Sequence, residues 1–210
     1  MISGWWARLL RGPGVLVRLL ADNAAYPALL RIEGVVYGPD LKLSGRPDVR
    51  ISPEGEIVLG VGVTLLSRPS ANPLRLTQPC TLALLKPGAT IRIGDHVALS
   101  GAVICAAVRV EIGNHTLIGA NCRIMDTNFH PLNPEMRREN RNLGMSSSPV
   151  LIGNDCFIGT GAIVLKGTCL GDGCVVGAGA VVSGTFSPRS LIAGNPARLV
   201  RQMPGRNSSA

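Results

Sequence analysis

Three histidines stand among the 210 residues, His96, His115 and His130, and imidazole is the side chain whose ordinary pKa lets it take or give a proton near neutral pH. His130 lies in the stretch MDTNFHPLNPEMRRENRNLGMSSSP, followed directly by Pro131 and preceded by Asp126 and Asn128. A hydroxyl is a poor nucleophile at neutral pH, and a positioned imidazole that removes its proton is typically worth about 100- to 10,000-fold in rate. Asp126 and Asn128 either orient such a base or its acceptor, or make the turn around it. A second chemistry is open to the same residue type. His96 and His115 are 19 positions apart, and with His130 they make three neutral imidazoles, a workable set for catalytic zinc.

The element that must position these groups is a repeat of six. From Ile152 an aliphatic residue returns at Ile158, Val164, Leu170, Val176 and Val182, with Gly153, Gly159, Gly171 and Gly177 directly after it. The fourth residue after each aliphatic is small, at Cys156, Ala162, Thr168, Cys174 and Ala180. The same pattern runs through Ile93, Leu99 and Cys105, then through Ile112, Ile118 and Ile124 after a one-residue insertion, and fades before residue 90 to Leu59-Gly60 and Leu65. Six matches neither a helix nor a simple strand period but suits a solenoid in which each hexad gives one short strand and one corner. Three hexads then close a triangular coil, the aliphatic and small residues point inward, and Gly eases the corner by tolerating positive φ. Cys156 and Cys174, one coil apart, and Cys122 in its own hexad read as small buried hydrophobes rather than disulfide partners.

The pattern breaks once. Ile124 and Ile152 are 28 positions apart, one hexad plus 22 residues, so the stretch around His130 must leave the coil as a long loop, and loops of that length are usually functional. Five Arg and Glu charges fall in it between Glu135 and Arg141.

Composition agrees with short strands and turns: Gly 26, Pro 15 and only 3% aromatics. A formal charge of +8 and a pI near 9.8 favour anionic partners, whether nucleotide phosphates, nucleic acid or an anionic membrane surface. No basic run interleaved with aromatics and no zinc-finger spacing supports nucleic acid. Residues 1 to 38 read as an N-terminal cap or interfacial segment, 39 to 187 as the repeat with 126 to 149 excluded from it, and 188 to 210 as a closing segment and tail. The N-terminus is broken by Arg8, Arg11, Pro13 and Arg18, too often to span a bilayer. A cytoplasmic protein is expected. Trp5, Trp6, Leu9 and Leu10 beside Arg8 and Arg11 leave peripheral membrane association through residues 1 to 14 as the alternative to capping.

The pieces IGNHTLIGANCRI, DTNFHPL, SPVLIGNDCFIGTGAIVLKG, LGDGCVVGAGAVVSG and IAGNPARLVR, in that order, resemble the hexapeptide-repeat acyltransferases, closest to the maltose, galactoside and nodulation sugar O-acetyltransferases. The resemblance runs from Ile112 to Arg201 and implies a left-handed parallel β-helix, a hand that the general crossover rule alone would not suggest. It implies acetyl-CoA as co-substrate, no metal, a homotrimer with each site between neighbouring prisms, and a sugar or glycan hydroxyl as acceptor within surface-polysaccharide or glycolipid synthesis. His130 matches the family's general base. The amide of Thr160 matches its oxyanion donor, Ala178 stacks one coil away, Ser183 takes a CoA contact position, and Arg198 and Arg201 match the adenine and 3′-phosphate site, where the planar Arg fork suits phosphate. One departure concerns the acceptor: Ser100 stands where galactoside-type enzymes carry an Asn. Two rivals follow from the same scaffold, a γ-carbonic-anhydrase-like zinc enzyme using His96, His115 and His130, and a non-catalytic β-helix scaffold.

Overall fold

The computed structural model describes residues 13–139 and 145–204. Among these, the six-residue period becomes three sheets that form the faces of a triangular prism, with seven, eight and six strands, all parallel except the last pair of the eight-stranded sheet. The first face includes Thr90–Ile93, Arg109–Ile112, Val150–Ile152 and Cys169–Leu170, the second Ala98–Ser100, Leu117–Ile118, Phe157–Ile158 and Val175–Val176, the third Val103–Ala106, Arg123–Met125, Ile163–Val164 and Val181–Val182. Each hexad aliphatic pairs in register with its counterparts: Ile112 with Ile93 and Ile152, Ile118 with Leu99 and Ile158, Ile124 with Ile104 and Val164. These side chains are buried and fill the prism axis as one continuous hydrophobic core.

Two details differ from the expected phase. On the third face it is Ile104 that points inward, fully buried, while Cys105 is half-buried on the outside beside Met125. Successive strand residues alternate faces, so once Ile104 and Ala106 turn in, Cys105 must turn out. The glycines after the aliphatics also work differently from expectation. Gly153, Gly159, Gly171 and Gly177 do not carry positive φ; that conformation falls two residues later, at Gly161, Gly173 and Gly179 and at the non-glycine His96, His115, Asn121 and Asp155. The first glycine is required because the coils stack so closely: a Cβ on Gly159 would stand 2.6 Å from the Ala178 nitrogen.

Coils continue below residue 90, where the period is faint. The first strand of the prism is Val36–Tyr37, and the coil holding Glu56–Leu59 and Thr64–Leu66 reaches its third strand, Thr81–Leu84, only after an excursion through residues 67–80 that includes a 3-10 turn at Pro69–Ala71.

Helix α1 (Pro13–Ile32) closes the N-terminal end of the prism. Its Asn23 accepts from the Leu43 N–H and donates to the Leu43 carbonyl, so one side-chain amide satisfies the open edge of the strand Lys42–Ser44 as a neighbouring strand would. Buried Asp22 accepts from the Gly45 N–H at 2.8 Å and from the Arg68 guanidinium at 2.8 and 2.9 Å. Leu30 enters the core, and the Tyr37 hydroxyl donates to the Pro27 carbonyl. Residues 13–32 therefore cap the first coil. The interfacial reading of residues 1 to 14 rests on Trp5, Trp6, Arg8 and Arg11, which lie outside the described residues. No helix among the described residues is long and apolar enough to cross a membrane.

Candidate active site

The prism has three corners, and they treat their backbone N–H groups differently. At the corner from first to second face, a ladder of carbonyl-bearing side chains seals the stack. Asp95 Oδ1 accepts from Val61 N, Asn114 Oδ1 from Asp95 N, Asn154 Oδ1 from Asn114 N and Asp172 Oδ1 from Asn154 N, all at 2.7 to 2.8 Å. The corner from second to third face is built on Ser100, Ala120, Thr160 and Ala178; the Ser100 carbonyl accepts from the Asn121 N–H at 2.9 Å, that of Ala120 from Gly161 and that of Thr160 from Gly179, both at 2.8 Å. No side chain at these rungs reaches an amide on the coil beside it. Thr160 carries the only hydroxyl of the upper rungs, and it donates to the Ala120 carbonyl at 2.8 Å. Among the described residues the N–H groups of Ala120, Thr160 and Ala178 consequently donate no hydrogen bond. A row of unpaired amides on an ordered edge is a preorganised donor set for a carbonyl oxygen or a developing oxyanion.

These amides border a groove of about 770 Å³ that runs along the second face. Its floor is the outward ladder Ala98, Leu117, Phe157 and Val175, joined rung to rung by the parallel pairing. The excursion 67–80 overhangs one end through Asn72, Pro73 and Leu74. It is clamped there by Asn121, whose Oδ1 accepts from the Thr77 N–H at 2.9 Å and whose Nδ2 donates to the Arg75 carbonyl, and by Gln78, which donates to the Gly101 carbonyl. This wall is absent from the sequence expectation. The cluster of Pro69, Asn72, Pro73 and Pro79 in a stretch without hexads is the signal that marks it.

At the groove's other end the closing hairpin, Ser190–Gly194 and Ala197–Gln202, extends the second face by two strands. Leu191 pairs with Val175 on one side and with Arg201 on the other, and Ala193 pairs with Arg198. Both arginines are exposed. Arg201 thus tops the apolar ladder of the groove floor, and Arg198 stands beyond the Ala178 corner. Thr160 and Ala178 share one corner of the prism, while Arg201 lies on the second face in register with Leu191 and Val175 and Arg198 lies opposite Ala193.

His130 and Ser183 belong to a different edge, the corner from third to first face. The excluded loop leaves after Arg123–Met125 and returns at Val150–Ile152. Its base is clamped as a short antiparallel ladder: Asn128 N donates to the Ser146 carbonyl, Ser148 N to the Asp126 carbonyl, and the Ser147 hydroxyl to Thr127 Oγ1 at 3.0 Å. The Asp126 carboxylate is fully buried and accepts from three consecutive amides, Ala107, Val108 and Arg109, each at 2.7 Å. It closes the corner of the coil below and makes no hydrogen bond to His130. Phe129 at φ +62 turns the chain, the His130 N–H donates to the Asn128 carbonyl at 2.7 Å, and the His130 side chain is exposed. Beyond it, Asn133 caps the short helix α2 (Pro134–Arg138), and Arg137 donates back to the Pro131 carbonyl at 2.9 Å. Ser183 is exposed just after Val181–Val182.

His96 and His115 stack with ring centroids 5.0 Å apart and planes inclined by 17°. Parallel rings do not converge their nitrogens on one point, and among the described residues no three His, Cys, Asp or Glu side chains gather as a metal set. All six cysteines are free thiols. Burial pushes the Cys122 and Cys156 thiols up to about 11, away from the reactive thiolate form.

A family model described as the hexapeptide repeat of succinyl-transferase matches residues 149–183. Over that span the coils are hexapeptide repeats. By sequence the chain is similar to nodulation protein L of Rhizobium meliloti (strain 1021), 43% identical over 113 residues that make up 53% of this chain and 60% of that protein. It is similar also to the galactoside O-acetyltransferase of Escherichia coli (strain K12), 33% identical over 121 residues, 57% of this chain and 58% of that one. The matched part thus spans less than two thirds of these curated relatives. Among solved structures, a galactoside acetyltransferase in complex with coenzyme A superimposes with a TM-score of 0.56, covering 95% of this chain and 88% of that one at 20% identity. AntD, an N-acyltransferase from Bacillus cereus in complex with dTDP and 3-hydroxybutyryl-CoA, gives 0.63 over 85% and 88% at 14%. At these identities the likeness is one of fold, and the fold is the left-handed parallel β-helix of the hexapeptide-repeat proteins.

Proposed function

We propose that the chain is an acyl-CoA-dependent O-acetyltransferase that moves an acetyl group from acetyl-CoA to a hydroxyl of a sugar or of a polysaccharide or glycolipid precursor. The observation that carries this reading is the pair of unpaired amides, Thr160 and Ala178, along a groove whose far end bears Arg198 and Arg201. The sequence relatives, which include a galactoside O-acetyltransferase, supply the reaction class.

Arg198 and Arg201 bind the phosphates of the co-substrate, and the Ala178 N–H holds the pantetheine arm as it runs down the groove. The Thr160 N–H then meets the thioester carbonyl oxygen and stabilises the negative charge that grows on it. His130 takes the proton of the acceptor hydroxyl while its oxygen attacks the carbonyl carbon. When the C–S bond breaks, the imidazolium returns that proton to the departing sulfur, leaving an ester and free CoA. Asp126 acts as a positioning residue by fixing the base of the loop, and Asn128 holds the turn that carries His130.

His130 and Ser183 lie on a different corner from Thr160 and Ala178, so a working site needs the His130 corner of one protomer against the Thr160 corner of the next. A closed trimer repeats that contact three times.

The test is transfer from acetyl-CoA to a panel of sugars, glycolipid precursors and amines, with release of free thiol as the readout. His130→Ala is expected to lower kcat by about 100-fold or more while CoA affinity stays within a few-fold. An unchanged turnover number would remove His130 from the chemistry, and failure to bind CoA would remove the reading as a whole.

A further inference from the structure

The excluded loop folds back toward the N-terminal end of the prism and roofs a second recess, of about 160 Å³, at its own corner. Thr127, Phe129 and Met145 come from the two legs of the loop, Ala107 from the corner one rung below, and Leu85 and Lys86 from the corner two rungs below. The volume is that of about five water molecules, room for one sugar ring or one of its substituents. Phe129 and Leu85, 38% and 42% exposed, give apolar surface that the C–H face of a pyranose covers. The polar side chains of the recess are donors. The Thr127 hydroxyl is buried and accepts from Ser147 Oγ and from the Phe129 N–H, which leaves its own proton uncommitted. Lys86 is half-buried, and among the described residues its ammonium group makes no hydrogen bond or ion pair. Asp126, next to Thr127, has its carboxylate turned to the Ala107, Val108 and Arg109 amides. A cation and a hydroxyl proton, both without an acceptor beside an apolar platform, suit an anionic oxygen.

Resting on the O-acetyltransferase reading above, we infer that this recess receives an anionic group of the acceptor, so that the enzyme selects acidic sugars, with Lys86 as the residue that determines this specificity. Position along the prism supports the chemistry. Lys86 lies two rungs below the loop that bears His130, and Ser100 lies two rungs below Thr160 on the other corner. When the His130 corner of one protomer meets the Thr160 corner of the next, the recess and the Ser100 stretch face each other at one level, on the N-terminal side of the reacting atoms. The donor arm takes the opposite side, from Ala178 to Arg201, so the acceptor has this side to itself. A ring laid on Phe129 stands beside His130, the next residue in the chain, while its carboxylate or phosphate meets Lys86 and Thr127. A neutral sugar in the same place displaces water from the ammonium group without replacing it by a charge, which costs free energy.

The proposal is tested by steady-state acetyl transfer from acetyl-CoA, with the full-length protein, to matched acceptors: glucose against glucuronate and glucose 6-phosphate, and galactose against galacturonate. A hydrogen bond to a charged partner is worth about tenfold or more, and a half-buried lysine gives the lower end of that range. KM for the acidic member is therefore expected to be about tenfold below that for the neutral one, the difference lying in KM rather than kcat. A gain for the two uronates alone makes the group a carboxylate, and a gain for the phosphate alone makes it a phosphate; either supports the recess. Lys86→Met, which keeps an unbranched stem, is expected to bring the ratio close to one by raising KM for the acidic member, and Lys86→Arg to preserve it. In the unsubstituted protein added salt is expected to raise the same KM, since it screens a partly exposed pair. A neutral sugar used as well as its acidic partner overturns the proposal, and so does a preference for the acid that survives Lys86→Met. Transfer to neutral glycolipid precursors or amines but to no acidic sugar also overturns it and leaves the acyl-CoA reading standing. If CoA binds but no acceptor is acetylated, or CoA does not bind, the reading above fails and the acidic acceptor fails with it.

Discussion

Cys122, Cys156 and Cys174 show what a residue gains from the coil. Each is buried in the prism interior, and each thiol points at a carbonyl of the next coil, Gly159 for Cys122 at 3.0 Å, Gly171 for Cys156 at 3.4 Å and Ser187 for Cys174 at 3.2 Å. Burial is the main cause that raises Cys122 and Cys156 from 9.0 to about 11, with backbone hydrogen bonds opposing it. The folded state therefore keeps these protons after the unfolded chain has begun to release them, and stability falls as pH rises from about 9 through 11. Below 9 the two thiols contribute no pH dependence. Denaturation followed from pH 7 to 11 is expected to show this decline, and Cys122→Ala with Cys156→Ala to flatten it. An identical slope in the double variant would show that other groups govern the alkaline limit.

The excluded loop is an element held by its base. Its tip carries the exposed His130, and its two legs are tied by Asp126, Thr127, Asn128, Ser146, Ser147 and Ser148. Asp126 contributes most, because one buried carboxylate satisfies three consecutive amides of the corner from Ala107 to Arg109, that of Ala107 buried and the other two partly so. Asp126→Ala leaves those donors unpaired, at about 1–3 kcal/mol for each group that finds no water. A chain of this size loses roughly 2–4 °C in Tm per kcal/mol, so Tm is expected to drop by about 5 °C or more, with kcat falling as the loop loses its footing. Asp126→Asn keeps an acceptor and is expected to recover part of the Tm. A variant with native Tm and a large loss of kcat would instead give Asp126 a direct part in the chemistry.

For the whole molecule, the division of the site between two corners makes assembly a condition of activity. Light scattering is expected to give the mass of three chains. Co-assembly offers a sharper check. His130→Ala chains keep the Thr160 edge with its arginines, and Arg198→Ala/Arg201→Ala chains keep the base. If each site draws one edge from each of two protomers, an equal mixture restores about a quarter of the interfaces. Activity no greater than that of the two variants measured apart would place both edges within one protomer and defeat the arrangement.

The sequence by itself determined the triangular section of the coil, the inward aliphatics from Ile152 to Val182, the small slots of the cysteines and the exit of the chain around His130. All of these follow from a local period and its interruption, and each hexad states its own strand and corner. Tertiary structure decided what depends on the neighbouring coil. The glycine after each aliphatic is needed for the approach of the coil beside it, not for its own φ. Ile104 rather than Cys105 faces inward because pairing with Ile124 sets the register. Asp126, four residues before the base in sequence, spends its carboxylate on a corner 17 to 19 residues away. The coils below residue 90 and the Leu74 overhang were hidden for a related reason: strand pairing and the Asn121 clamp hold them in place, and neither leaves a periodic trace in the chain. Stacking also separates His130 from Thr160, since residues that the sequence orders along a line are distributed by the coil onto different edges of the prism.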